Sequence, residues 1–123
     1  MSQINLSLKK GKDITRLPVH MAVFVPSTKK RKKISEKEFK KRILETKRFF
    51  SRFGGYTKTN TVGGFVEEGS LIEEKVVKVE SYSNVQDYKQ VKAELLAWIR
   101  SKKNTWQQFS IGFEFEEDFH LIG

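Results

Sequence analysis

The sequence predicts an α+β fold, and three observations carry that prediction. Two stretches, around residues 36–53 and 83–102, place apolar residues at helical spacing behind a capping-box pattern. Between them, two β-prone segments joined by a Gly-containing turn have the pattern of a hairpin. Near the C-terminus, Phe109, Ile111, Phe113 and Phe115 alternate with polar residues at the period of a half-buried strand. A chain of 123 residues is the size of one domain with one modest core, for which ten Phe, three Tyr and two Trp supply the bulk.

Residues 1–19 are polar and basic, with an Ile4, Leu6, Leu8 alternation that Lys9-Lys10-Gly11-Lys12 soon ends. A loosely held tail and a weak edge strand are both open there. Residues 20–123 are expected to form the single domain. Ala22, Val23, Phe24 and Val25 make a short continuous apolar run closed by Pro26, which suits a buried central strand. Five consecutive cations, Lys29, Lys30, Arg31, Lys32 and Lys33, repel one another and predict an exposed loop.

Ser35-Glu36-Lys37-Glu38 has capping-box spacing, so a helix is predicted from about Glu36 to Phe53. Phe39, Ile43, Phe50 and Phe53, broadened by Leu44 and Phe49, give it an apolar stripe. Lys37, Lys40, Lys41, Lys47, Arg48 and Arg52 make the remainder positive. Gly54 and Gly55 end it, because glycine enters the left-handed conformation without a Cβ clash. Tyr56 to Val66 is strand-prone, with Gly63-Gly64 expected as a bulge or a close backbone approach. Glu67-Glu68-Gly69-Ser70 then turns the chain into a strand from Leu71 to Tyr82.

Ser83 and Gln86 repeat the capping-box spacing, and Tyr88, Val91, Leu95, Trp98 and Ile99 form a second helical stripe that Asn104 ends. After the alternating strand, Glu117-Asp118 offers a turn and Phe119, Leu121 and Ile122 an extra C-terminal strand. Strand, helix, strand, strand, helix, strand is the order of the ferredoxin-like split βαβ sandwich, an antiparallel sheet with both helices on one face. Its open face is a candidate surface for a homodimer.

The formal net charge of +9 is unevenly placed. Residues 1–60 carry 17 Lys/Arg against 4 Asp/Glu, and residues 61–123 carry 7 against 11. Such a charge dipole steers an anionic partner to the N-terminal half, or simply keeps the chain dissolved. The absence of Cys excludes disulfides, thiolate metal sites and a Cys nucleophile, and fits a reducing cytoplasm. No apolar run approaches the roughly 20 residues of a membrane span, so no membrane partner is expected.

Catalytic signatures are lacking. His20 and His120 have no metal-ligand spacing around them, and neither a Walker pattern nor Gly-x-Gly-x-x-Gly occurs. No catalytic residue, metal ligand or cofactor is assigned, and a non-enzymatic protein is the main expectation. Glu73 and Glu74 are a minor candidate acid-base pair beside Thr57 or Thr59. Their ordinary reading is a charged, solubilised hairpin edge.

The binding candidates are cations and glycines. Lys29, Lys30, Arg31, Lys32 and Lys33 in the loop, with Lys41, Arg48 and Arg52 on the helix, can neutralise phosphates. Gly54 and Gly55 offer backbone N–H groups to an anion, with Tyr56 and Lys58 beside them. Loop, helix face and turn are expected to adjoin. Tyr56 or Phe65 can stack on bases, although no RNP-type aromatic motif is present and Glu114 and Glu116 interrupt the C-terminal aromatics.

Val23-Phe24-Val25-Pro26, Phe53-Gly54-Gly55-Tyr56-Thr57, Gly64-Phe65 and Glu73-Glu74-Lys75-Val76 into Val79-Glu80-Ser81-Tyr82 resemble small uncharacterised proteins of prokaryotes and their phages or plasmids. The resemblance covers about residues 21–122 and implies a compact ferredoxin-like fold in a prokaryotic or mobile-element setting. The leading functional expectation is a small basic module that holds an anionic partner, above all nucleic acid. The alternative is a nucleotide-binding or nucleotide-processing protein, for example one acting on cyclic or oligonucleotide signals in phage defence. A plain protein-interaction module is the third reading.

Overall fold

The computed structural model describes residues 16–115 and 118–123. The readings for residues 1–15 and the turn residue Glu117 lie outside them. In chain order the elements are β1 (Val19–Pro26), β2 (Thr28–Lys29), β3 (Lys32–Lys33), α1 (Glu36–Phe50) with a 3₁₀ turn at Ser51–Phe53, β4 (Thr57–Glu67), β5 (Ser70–Ser83), α2 (Val85–Thr105), β6 (Ile111–Phe115) and β7 (Asp118–Ile122). Five strands form one antiparallel sheet in the order β4-β5-β1-β6-β7, and β2 and β3 pair separately as a small hairpin.

The predicted architecture of an α+β chain with an antiparallel sheet and two helices is therefore present. β1 is central, pairing with β5 from Val19↔Ser83 to Pro26↔Val76 and with β6 through Met21↔Phe115 and Val23↔Phe113. Its continuous apolar run follows from that position, since neighbours flank it on both sides. Met21, Val23 and Val25 on β1, Val77 and Val79 on β5, and Ile111, Phe113 and Phe115 on β6 join Phe39, Ile43, Phe49 and Phe50 of α1 and Tyr88, Leu95 and Ile99 of α2 in one core. Both helices thus cover the same sheet face.

The helix starts obey capping chemistry. Ser35 Oγ accepts from the Glu38 N–H at 3.1 Å, as the capping box predicts. At α2 the cap is Asn84, one residue beyond the expected Ser83, with its Oδ1 accepting from the Asp87 N–H at 2.7 Å. Ser83 Oγ instead donates to the Asn84 carbonyl. α1 ends at Phe50, and Gly54, with φ of 97°, closes the 3₁₀ turn that follows. α2 passes through Asn104 to Thr105, because Asn costs little in a helix interior and the break comes only where Gln107 turns left-handed with φ of 52°.

Several local expectations shift. The five-cation run is an ordered hairpin, with Lys29 paired to Lys32 and with Lys30 and Arg31 at its turn, both at positive φ. Leu44 is 45% exposed and stands outside the apolar stripe, whereas Arg42 and Thr46 lie buried within it. Gly63 and Gly64 make no bulge: they pair regularly with Glu74 and Glu73. A Cβ on Gly63 would stand 3.1 Å from Val76 Cγ2, which supports the close-approach reading. Glu68 and Gly69 form the two-residue hairpin turn, both at positive φ.

Arg42 joins segments far apart in sequence. Its Nη1 donates to the carbonyls of Pro26 at 2.9 Å and Thr28 at 2.7 Å, and its Nη2 donates to the Trp106 carbonyl at 3.2 Å. Burial pushes the guanidinium below its ordinary pKa, while Glu38, Glu74 and Glu45 act in the opposite direction. Replacing Arg42 by Met removes the guanidinium donor from all three carbonyls and leaves those of Thr28 and Trp106 with Gln108 Nε2 alone. Chemical denaturation is expected to show a loss of about 3 kcal/mol, with Arg42→Lys recovering only part of it, because one ammonium cannot reproduce the planar fork.

Candidate functional site

The end of the sheet that Arg42 organises is also where the chain encloses a cavity of about 600 Å³. Ser27 and Thr28 after β1, Lys30, Arg31 and Lys33 of the β2–β3 hairpin, and Gln107 to Ser110 after α2 form one wall. Phe65 of β4 and Ile72 to Lys75 of β5 form the other. The walls are tied together. The Lys30 N–H donates to the Gln107 carbonyl at 3.2 Å, and Gln108 Nε2 donates to the carbonyls of Thr28 and Trp106. Arg31 lies 4.8 Å over the Phe109 ring and pairs with Glu67.

One polar atom stands apart. Oε2 of Glu74 is buried and has no hydrogen-bond partner. An unmet buried oxygen of this kind costs about 1–3 kcal/mol, which a cationic or hydrogen-bonding ligand can recover. Glu74 reaches this place because β5 outlasts β1: Val76 pairs with Pro26, and Glu74 lies beyond the end of the central strand. Glu73 also lines the cavity, but adjacent residues of a strand point to opposite faces, so the two carboxylates are not a side-by-side dyad. Thr57 and Thr59 pair with Glu80 and Lys78 and lie away from both, so the expected pairing of Glu73 and Glu74 with those threonines is absent.

The predicted binding residues are divided by the fold. Lys30, Arg31 and Lys33 line the cavity. Lys29 and Lys32 are exposed on the same hairpin, and Lys41 is exposed on α1. Gly54, Gly55, Tyr56, Arg48 and Arg52 lie at the C-terminal end of α1, about 20 Å of helix from the hairpin at its other end. There Ser81 Oγ donates to the Gly55 carbonyl, Lys47 lies 5.4 Å over the Tyr56 ring, and Arg52 pairs with Glu94. That hydrogen bond raises the Arg52 pKa and lowers that of Glu94. Lys58, pointing to the helix side of β4, lines a different cavity. Loop and Gly-Gly turn therefore do not adjoin.

Neither histidine is free for chemistry on the cavity. His20 Nε2 lies 2.8 Å from Glu80 Oε1, and His120 stacks on Phe113 and Phe115. Among the described residues no cluster of His, Cys, Asp and Glu could hold a metal ion, and no helix is long and apolar enough to cross a membrane. Phe109 and Gln107 are site residues that periodicity missed. Phe109 was assigned to the C-terminal strand, yet that strand starts at Ile111 and the Phe109 ring is 68% exposed beside Arg31.

No protein-family model matches the chain, and no curated protein matches it. Two solved structures share its fold: a phage SAM lyase in complex with S-methyl-5′-thioadenosine, at 14% identity, and a phage SAM lyase in the apo state, at 16%. Each match has a TM-score of 0.58 and covers 89% of this chain and 94% of the other. These neighbours correct the main functional expectation. The expectation of a non-enzymatic nucleic-acid module is overturned, because the matching fold is that of an enzyme in complex with a nucleoside. The geometry agrees, since the cations are split between two ends of α1, and Arg31 and Arg52 are already paired with carboxylates.

Three non-Gly residues of the cavity wall, Lys30, Arg31 and Gln107, hold left-handed backbone with φ of 48°, 68° and 52°. Each such residue costs about 1 kcal/mol or more. Gln107→Gly is expected to stabilise the fold by about 1 kcal/mol in thermal or chemical denaturation, since glycine adopts this conformation without strain. A loss of stability would show that the Gln107 side chain contributes more than its backbone costs.

Proposed function

We propose that this chain is an enzyme that takes an adenosyl sulfonium compound, S-adenosylmethionine, into the Glu74 cavity and releases S-methyl-5′-thioadenosine. The observation that carries the reading is the buried, partnerless Oε2 of Glu74 in a cavity that also presents Phe65, Phe109, Lys30, Arg31 and Lys33. The five-stranded antiparallel sheet with two helices and the phage SAM lyase neighbours support it.

The ligand's chemistry suits this lining. A sulfonium is a cation with little capacity for hydrogen bonding, so a desolvated carboxylate attracts it more strongly than water does. The faces of Phe65 and Phe109 suit an adenine ring and the positive sulfur. Lys30, Arg31 and Lys33 lie within the same cavity to receive the carboxylate of the amino-acid arm. Releasing methylthioadenosine breaks the bond between sulfur and that arm, and the bonding pair goes to sulfur. Positive charge is lost from sulfur in this step. The four-carbon fragment completes its valence by giving up a proton or by closing on its own carboxylate. No water enters either balance.

Incubating the protein with S-adenosylmethionine is expected to produce methylthioadenosine, followed by liquid chromatography and mass spectrometry, with no ¹⁸O from labelled water in the four-carbon product. Glu74→Gln should raise the KM for S-adenosylmethionine, lowering the rate at sub-saturating substrate by about 10²-fold, while methylthioadenosine, which is neutral, still binds in calorimetry. Absence of turnover and of methylthioadenosine binding in the wild type would overturn the proposal. Phe109→Ala is expected to weaken methylthioadenosine binding by about tenfold, the size of one base-aromatic stack.

A further inference from the structure

A second cavity, of about 550 Å³, lies between the first turns of α1 and the helix side of β4 and β5. Phe39 and Ile43 of α1 form its apolar floor with Val77 of β5. Around this floor stand three lysines from three elements: Lys40 on α1, Lys58 on β4 and Lys75 on β5. None of the three has an ion-pair partner among the described residues.

Lys58 and Asn60 pair with Val79 and Val77, and antiparallel partners share a face, so both point to the side that bears the helices. The neighbouring β5 presents the core residues Val77 and Val79 there. β4, the edge strand, instead presents Lys58, Asn60 and the 65% exposed Val62, and the cavity lies between this polar face and α1.

We infer that this second cavity binds an organic phosphate monoester with a flat apolar body. Lys40, Lys58 and Lys75 against the single carboxylate of Glu36 leave two positive charges, which match a phosphate monoester dianion. Ammonium groups arriving from three directions suit the three terminal oxygens of a phosphate, and Asn60 adds an amide donor. Phe39 and Ile43 suit a ring attached to that phosphate. The site is distinct from the Glu74 cavity, with which it shares only Lys75, and it stands whether or not the chain acts on a sulfonium.

Phenyl phosphate, benzyl alcohol and inorganic phosphate, titrated into ¹⁵N-labelled protein, test the inference. At pH 7.5, phenyl phosphate is expected to shift the amide signals of Lys58 to Val62 and Phe39 to Ile43 saturably, and inorganic phosphate and benzyl alcohol at least about tenfold more weakly. Binding should weaken as the pH falls through about 6 and the monoester loses one charge. The Lys40→Glu, Lys58→Glu double variant should abolish it, and the milder Lys40→Gln, Lys58→Gln pair should reduce it with the spectrum otherwise native. Equal binding of benzyl alcohol or of inorganic phosphate, shifts centred on Glu73 and Glu74, or undiminished binding by the Gln pair would each overturn the inference. Failure here leaves the sulfonium reading intact, because that reading depends on Glu74 and Phe109.

Discussion

Arg42 holds together the parts of the fold that local sequence leaves independent. Its guanidinium is buried inside α1 and donates to carbonyls at the end of β1, in β2 and just after α2. Taking such a charge out of water costs several kcal/mol, and charge-assisted hydrogen bonds to the three carbonyls offset that cost. Thr46 extends the arrangement by donating from its Oγ1 to the Arg42 carbonyl at 2.9 Å. The β2–β3 hairpin and the segment from Gln107 to Ser110 are fixed from behind by this one side chain. Both are walls of the Glu74 cavity.

Part of the chain's positive charge is committed locally. Arg31 pairs with Glu67 and covers Phe109, Lys78 pairs with Glu114 and lies over Phe24, and Lys102 pairs with Glu45 and lies over Trp98. Each cation thereby covers an aromatic face while keeping its head near a carboxylate. The predicted binding cations of the N-terminal half are divided between the β2–β3 hairpin and the far end of α1. Two separate concave sites result, one mixing carboxylates with cations and one lined by unpaired lysines.

The cavity beside Glu74 gathers most of the described departures from low-energy geometry, Glu68 at the β4–β5 turn being the other left-handed non-Gly residue. Three left-handed non-Gly residues and one partnerless buried carboxylate oxygen lie in its walls. Glycine at Lys30, Arg31 or Gln107 would relieve the backbone, but it would also remove the side chains that line the space. Strain of this kind persists where the surrounding structure over-determines it. Arg42 and the bonds from Lys30 and Gln108 supply that support.

By itself the sequence determined the elements. Helical spacing with Ser35 as cap, the alternation from Ile111 to Phe115, and the turn at Glu68-Gly69 are local patterns, and local patterns carry the period of the structure that buries them. It also determined that Lys30, Arg31 and Lys33 would lie close together, because they are adjacent in the chain. Only the tertiary structure decided that this hairpin faces Glu73 and Glu74 rather than Gly54 and Gly55. The length of α1 separates loop from turn, and the overhang of β5 beyond β1 brings the carboxylates in. In the sequence Arg42 is one cation on a helix rich in Lys and Arg, and its burial follows only from the convergence of three distant carbonyls on it. Convergence of residues 26, 28, 42 and 106 depends on strand order and register, and no window of sequence contains that information.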